Sequence, residues 1–100
     1  MDKKYAIKIA KKFSKEIKDI ISAENVFLFG SYARGNNHKW SDIDIAIVVK
    51  NSSFDYFDIY KKLGNVTLKL DTRIEPVIIN SQKDYSGFLE TIKKEGIKVS

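Results

Sequence analysis

The sequence predicts an α/β fold in which helices pack on a small mixed β-sheet. Residues 26–29 and 41–49 are apolar runs rich in Val, Ile, Leu and Phe, which indicates two buried strands. In other segments, apolar residues recur every three or four positions, which is the period of an amphipathic helix. The resulting order is helix, strand, short helix, strand, helix, strand, helix, and such alternation is typical of an α/β layer.

The first helix is predicted over residues 2–23. Its apolar stripe has spacings of four, three, four and three residues and consists of Ala6, Ala10, Phe13, Ile17 and Ile20. The many lysines of this segment are interpreted as its solvated face. We therefore expect the stripe to pack on the sheet.

A second helix is predicted over residues 54–70, after the candidate capping residues Ser52 and Ser53. Its apolar positions follow the same three-and-four spacing and comprise Tyr56, Ile59, Leu63, Val66 and Leu70. Gly64 disfavours a helix at this point. An alternation that also suits a strand is formed by Val66, Leu68 and Leu70. Helix and strand therefore both remain open for residues 64–71.

The last predicted elements are a strand over residues 72–79 and a helix over residues 81–94. The helix would begin with a capping box formed by Ser81 and Asp84, and Gly96 would stop it. Its expected inward-facing residues are Tyr85, Phe88, Leu89 and Ile92.

The composition is that of one small domain. One hundred residues can bury a single modest core, and no linker, repeat or low-complexity run divides the expected domain of residues 1–100. The absence of cysteine excludes disulfides and zinc–thiolate sites. Because the chain shows no signal peptide and no apolar run long enough to span a bilayer, we expect a cytoplasmic protein without a membrane partner. The net charge of +5 suits an anionic partner such as a nucleotide or RNA.

A glycine–serine turn follows the first strand directly. Gly30 lets the backbone turn sharply and lets a phosphate approach closely, while Ser31 supplies a hydroxyl where a helix could begin. Arg34 lies about one helical turn further on and could reach the same phosphate. On its own, such a turn is also typical of an ordinary strand-to-helix connection with a solvated arginine.

Two aspartates stand at the start of the second strand. Side chains alternate along a strand, so Asp42 and Asp44 face the same way, roughly 7 Å apart at about 3.3 Å per residue. The apolar Ile43 and Ile45 face the other way. Paired carboxylates repel each other and lose hydration, so a divalent cation is the natural compensation, and Mg²⁺ usually arrives with substrate phosphates. An isolated pair could be a solvated strand end, but its spacing from the glycine–serine turn favours a metal and phosphate site.

Together these elements resemble the signature of the DNA polymerase beta-like nucleotidyltransferases, and especially their small stand-alone members, the minimal nucleotidyltransferases. The matching residues are Gly30-Ser31-Tyr32-Ala33-Arg34-Gly35 followed by Ser41-Asp42-Ile43-Asp44, with a strand on each side. The resemblance implies that fold, with the two aspartates bridging two Mg²⁺ or Mn²⁺ ions and the turn holding the β and γ phosphates of ATP. Ser41, which adjoins the aspartates in the signature, is grouped with the nucleotide-binding residues. The resemblance also implies a third carboxylate on a neighbouring strand.

Asp71 and Glu75 are the candidates for the third carboxylate. Residues 72–79 are rich in β-formers and end in an apolar run, so Glu75 lies inside the predicted strand and Asp71 just before it. Because a strand holds its side chains rigidly, we predict that Glu75, rather than Asp71, is the metal ligand and general base. Alternatively, Glu75 pairs with Arg73 and faces water. Pro76 cannot donate a hydrogen bond to a sheet, so this strand is expected to lie at an edge or to carry a bulge there.

The resemblance implies transfer of AMP from ATP to an acceptor hydroxyl. Minimal nucleotidyltransferases are commonly partnered with a small helical HEPN-domain ribonuclease toxin, as antitoxins that can adenylylate a tyrosine of the toxin. Larger relatives carry an added acceptor-binding helical domain for which this chain has no residues left, so the acceptor site is expected from a second copy or another protein. The alternatives are an antitoxin that acts by occlusion and a small-molecule adenylyltransferase of the aminoglycoside-modifying type, which the short chain disfavours.

Overall fold

The computed structural model describes residues 2–38, 41–50, 53–83 and 86–100. Within these ranges the chain forms, in order, helix α1 (Lys3–Glu16), strand β1 (Asn25–Phe29), helix α2 (Gly30–Arg34), strand β2 (Ile43–Val49), helix α3 (Tyr56–Leu70), strand β3 (Ile74–Asn80), helix α4 (Phe88–Glu95) and strand β4 (Ile97–Lys98). This order confirms the predicted α/β class and adds β4, which is too short to show a sequence period. None of the helices in the described ranges has the length and apolar character needed to cross a membrane.

The strands form one mixed sheet in the order β3, β2, β1, β4. Strand β1 is antiparallel to β2 and to β4, whereas β2 and β3 run parallel. The register places Phe29 beside Asp44 and Asp44 beside Glu75. Because residues in register point to the same face of a sheet, the end of β1 and the starts of β2 and β3 meet at one corner.

Helices cover both faces of the sheet. On one face, α1 and α3 enclose the larger apolar cluster, which includes Phe13, Leu28, Ile45 and Leu63. On the other face, α4 covers a smaller cluster formed by Phe27, Ala46, Val48, Ile79, Leu89 and Ile92. Since side chains alternate along β2, Asp44 shares the α4 face with Ala46 and Val48. The candidate site therefore lies on the face that α4 only partly covers.

Helix α1 is shorter than the predicted helix of residues 2–23. It starts after the capping carboxylate of Asp2 and ends at Glu16. A 3-10 turn, Ile17–Asp19, then leads the chain toward β1. Ile17, the first residue of this turn, is buried, and Ile20, the last residue of the predicted stripe, is partly buried against the core. These apolar residues therefore reach the core without a continuing α-helix.

Residues 64–70 are helical, which resolves the alternative left open for this segment. A strand would place Leu68 on the same face as Val66 and Leu70. Instead, Leu68 is 72% exposed while Val66 is buried. The helical spacing of the apolar residues therefore describes this segment, and the apparent alternation does not.

The start of α3 differs from the prediction. Its cap is Asp55, whose carboxylate accepts hydrogen bonds from the amides of Phe57 and Asp58 at 3.0 and 3.4 Å. Ser53 precedes this cap, and Ser52 lies outside the described residues. An aspartate is at least as good a cap as a serine, so the helix starts at the better-placed of the polar residues.

Helix α4 begins later than predicted, at Phe88, after the capping residue Gly87. Residues 82 and 83 form a turn rather than a helix, so Ser81 does not cap a helix. Its hydroxyl instead donates to the carboxylate of Glu24 at 2.9 Å. Asp84, the other member of the proposed capping box, lies outside the described residues.

The inner face and the end of α4 largely match the prediction. Leu89 and Ile92 are buried, and Gly96 follows the last helical residue. Phe88 is 41% exposed, so its prediction as an inward-facing residue is wrong. Tyr85 lies outside the described residues.

Strand β3 is an edge strand, in agreement with the prediction from Pro76. On its outer side, the amide of Ile74 donates to the carbonyl of Asp71 at 3.1 Å. Pro76 has no amide hydrogen there. The amide of Ile78 donates to the hydroxyl of Tyr60 on α3 at 2.8 Å. The proline therefore falls where no partner strand needs a donor.

Candidate active site

Gly30 is the elbow between β1 and α2. Its φ of +73° lies in the left-handed region, which disfavours any side chain. A Cβ atom added at Gly30 would also collide with the carboxylate of Asp44. The glycine is therefore required both by the turn and by the close approach of the carboxylate to the backbone.

Helix α2 is a single short helix held by its aromatic residue. Tyr32 is fully buried and belongs to the core cluster beneath α1. Ser31 is half-buried, and its carbonyl accepts hydrogen bonds from the amides of Gly35 and Asn36. Arg34 is exposed. The sequence alone does not predict that Tyr32 anchors this helix, although an aromatic residue inside the motif is a signal that could have indicated it.

The two aspartates lie side by side as predicted. Asp42 is exposed and Asp44 is half-buried, while Ile43 between them is fully buried on the opposite face. Burial raises the pKa of Asp44 above its ordinary value of 3.8, and the charges of Asp42 and Glu75 raise it further. The Arg34 guanidinium lowers the same pKa. Three carboxylates and one guanidinium thus interact at this corner.

Glu75 lies next to Asp44 on the neighbouring parallel strand. Its side chain is exposed, on the same face as Asp44. Arg73 does not bond Glu75 but forms a two-pronged hydrogen-bonded pair with Asp71, at 3.0 and 2.9 Å. This pairing lowers the pKa of Asp71, chiefly through the side-chain hydrogen bond. The structure therefore brings Glu75 to the aspartates and commits Asp71 to a structural ion pair.

Ser41 shapes the loop that leads into the aspartates. Its hydroxyl accepts a hydrogen bond from the His38 amide at 2.9 Å, and its own amide donates to the His38 carbonyl at 3.0 Å. Only 6% of Ser41 is exposed. These contacts fix the backbone immediately before Asp42, and the residues between them, Lys39 and Trp40, lie outside the described part of the chain.

The donor set of this corner fits a hard divalent cation. No group of three or more carboxylate or imidazole side chains among the described residues is arranged to hold a metal ion by itself. Mg²⁺ does not require such a group, because it usually binds one or two carboxylates together with substrate phosphates and water. The paired oxygens of Asp42 and Asp44, with Glu75 adjacent, match that requirement.

A pocket of about 280 Å³ adjoins this corner. One wall comes from the β1–α2 elbow and β2, with Phe29, Gly30, Arg34 and Asp44. The other wall comes from α4, with Phe88, Thr91, Ile92 and Glu95. A larger open groove of about 620 Å³ along α1 contains none of the motif residues. The sequence alone does not predict that α4 forms a wall of this pocket. No local motif links this helix to the β1–α2 elbow, which lies more than fifty positions earlier in the chain.

Comparisons with known proteins identify the class. Residues 10–99 match the model of the family described as nucleotidyltransferase domain. The chain is 35% identical to "Putative protein adenylyltransferase MJ0141" of Methanocaldococcus jannaschii, over 93% of this chain and 97% of the relative. It is 33% identical to "Putative protein adenylyltransferase MJ1305" of the same organism, over 79% of this chain and 58% of that relative.

Solved structures support the same fold. A mutant of the toxin–antitoxin MntA–HpeT superimposes with a TM-score of 0.68 at 22% identity, covering 91% of this chain and 72% of that chain. A toxin–antitoxin structure with AMP-PNP gives a TM-score of 0.63 at 22% identity, covering 90% and 72%. The chain belongs to the nucleotidyltransferase domain family, and it is a nucleotidyltransferase.

Proposed function

We propose that this chain transfers AMP from ATP to a hydroxyl group of a partner protein. The observation that carries the proposal is the meeting of Asp42, Asp44 and Glu75 on one face of the sheet, beside the backbone of Gly30. The names of the archaeal relatives, which refer to protein adenylylation, support a protein as acceptor. The exposure of Asp42 and Glu75 supports the same choice, because a macromolecule can reach them.

In this proposal the carboxylates hold two Mg²⁺ ions, which Mn²⁺ can replace. Asp42 and Asp44 would hold the ions, and Glu75 would complete one of the two sites. When bound, such ions stabilise charge on the attacking and leaving oxygens of an in-line displacement. Glu75 accepts the proton of the acceptor hydroxyl, whose oxygen bonds to the α-phosphorus while the bond to the pyrophosphate oxygen breaks.

The phosphates occupy the elbow. Gly30 allows close approach of the backbone, and Arg34, which already interacts with Asp44 electrostatically, supplies a positive charge. Ser31 offers a hydroxyl beside them. Ser41 contributes to nucleotide binding by setting the loop before Asp42, since its hydroxyl is bonded to the His38 amide.

The partner in this proposal is a helical HEPN-type toxin, with a tyrosine hydroxyl as acceptor and this chain as antitoxin. The structural similarity to toxin–antitoxin complexes, one of them with an ATP analogue, supports that assignment. A second copy of the chain is compatible with the same site, because the exposed carboxylates leave room for an acceptor from outside. Neutralisation by occlusion alone remains the competing account.

The test combines the chain with labelled ATP, Mg²⁺ and its cognate toxin. Intact-mass spectrometry should detect one or more AMP groups on the toxin, and ATP binding measured by calorimetry should depend on Mg²⁺. Asp42→Asn with Asp44→Asn should abolish both effects, whereas Glu75→Gln should slow transfer far more than it weakens ATP binding. Asp58→Asn is the matched control, because Asp58 is exposed on α3 and pairs only with Lys62 at 3.1 Å in the described structure.

Two results would contradict the proposal. Equal ATP affinity in the presence of a chelator would argue against a metal site at these carboxylates. The second result has two parts: no AMP is found on the toxin, and the double aspartate variant still neutralises the toxin fully. Neutralisation by occlusion would then be the better account.

A further inference from the structure

We infer that the pocket between the β1–α2 elbow and α4 holds the nucleoside half of the substrate, with its base packed against Phe88. This inference rests on the proposed function, because it takes ATP as the ligand. It assigns a role to α4, a helix that contributes none of the residues of the glycine–serine and aspartate motif. It also explains why a large aromatic side chain is left 41% exposed on a helix whose other apolar residues are buried.

Two aromatic rings form a corner in this pocket. The ring centroids of Phe29 and Phe88 lie 5.7 Å apart, with an interplanar angle of 83°. A planar heterocycle that stacks on one of two perpendicular rings presents its edge or face to the other, and both arrangements are favourable for aromatic groups. The corner therefore suits a nucleobase better than a flexible aliphatic group.

The position of the pocket favours a nucleotide over other planar ligands. Phe29 is the residue immediately before Gly30, and the same pocket includes Gly30, Arg34 and Asp44. A ligand whose base lies at Phe88 would thus have its phosphates beside Arg34 and the carboxylates. The volume of about 280 Å³ is slightly below the range of whole-ligand pockets, which run from about 300 to 1,000 Å³. It fits a nucleoside whose triphosphate extends over the open carboxylate corner.

The charges of the two walls favour one orientation of the nucleotide. The elbow wall carries Arg34 together with Asp44, a metal ligand in the proposed function, whereas the α4 wall carries Glu95, which has no cation beside it among the described lining residues of that wall. The carboxylate of Glu95 repels phosphate but accepts hydrogen bonds from ribose hydroxyls or an exocyclic amino group. The uncharged nucleoside is therefore directed toward α4 and the phosphates toward Arg34.

The test compares ATP with inorganic tripolyphosphate, which carries the phosphates but no nucleoside. Calorimetry with Mg²⁺ should show that Phe88→Ala weakens ATP binding about tenfold, a loss typical of a truncated stacking residue, while tripolyphosphate binding is unchanged. Phe88→Leu keeps apolar packing but lacks an aromatic face, so it should also lose ATP selectively. Phe57→Ala, on the opposite side of the sheet at 83% exposure, is the control and should bind both ligands normally.

The outcomes separate this inference from the proposed function. Loss of both ligands in equal measure in the Phe88 variants would indicate a general structural role and overturn the inference, as would unchanged ATP binding. Selective loss of ATP would support the inference even if no AMP reached a protein acceptor, a result that would contradict only the proposed function. Wild-type protein that binds neither ligand would overturn both.

Discussion

Replacing Gly30 by alanine tests whether the elbow and the Asp44 carboxylate occupy one space. An L-residue at the observed φ of +73° costs about 1–2 kcal/mol. The added Cβ would also displace the Asp44 carboxylate, and moving a side chain off its preferred rotamer costs about 0.5–1.5 kcal/mol. Gly30→Ala should therefore lower the free energy of unfolding by ~1.5–3.5 kcal/mol and weaken Mg²⁺-dependent ATP binding.

Gly35→Ala is the matched control for this substitution. Gly35 has a φ of +79°, but a Cβ added there has no atom of the described residues within 4 Å. Gly35→Ala should therefore lower the free energy of unfolding only by the backbone cost of about 1–2 kcal/mol and should leave the affinity for ATP unchanged. Urea unfolding and ATP calorimetry on both variants measure these effects. If both variants lost ATP affinity equally, or if Gly30→Ala were as stable as the wild type, the assumed conflict with Asp44 would be refuted.

Two further predictions concern stability. Asp44→Asn should raise the free energy of unfolding at neutral pH by up to about 1 kcal/mol without metal or nucleotide, because it removes a half-buried charge that two other carboxylates repel. Because the pKa of Asp44 is raised in the folded state, the wild type should lose stability relative to the variant as the pH rises above 3.8. Below that pH, the free energies of unfolding of the two proteins should converge. A difference in urea unfolding that stays constant across this pH range would refute the prediction. Tyr60→Phe should cost about 0.5–1.5 kcal/mol by removing the acceptor for the Ile78 amide. Hydrogen exchange at Ile78 should accelerate in that variant, and unchanged exchange would show that the hydroxyl contributes little.

The aspartate pair and the glycine elbow could be predicted because their signals are local. Alternation along β2 directs Asp42 and Asp44 to one side whatever the tertiary structure. The apolar run before Gly30 marks the end of β1, and the β-rich segment around Glu75 marks the third strand. The expectation of a third carboxylate came from the family resemblance, and the position of Glu75 inside a β-rich segment favoured it over Asp71. The residues alone did not give the register between β2 and β3, which places Glu75 beside Asp44.

The parts that could not be predicted depend on contacts between distant segments. Ser81 looks like a helix cap in sequence, but the nearby carboxylate of Glu24 takes its hydrogen bond. The helical period predicts that Phe88 faces inward, yet its side chain is partly exposed and lines the pocket beside the β1–α2 elbow. Strand β4 has two residues and exists only because β1 is there to pair with it. Periodicity reports which face of an element is apolar but not what covers that face.

The capped edge of β3 restricts how this chain can associate with another. An unpaired strand normally offers a row of amide donors to an incoming strand. Here the donors at Ile74 and Ile78 are already bonded, and Pro76 between them has none. The opposite edge, β4, spans two residues. Strand addition is therefore disfavoured along β3, and the two-residue β4 offers little backbone for pairing with another strand.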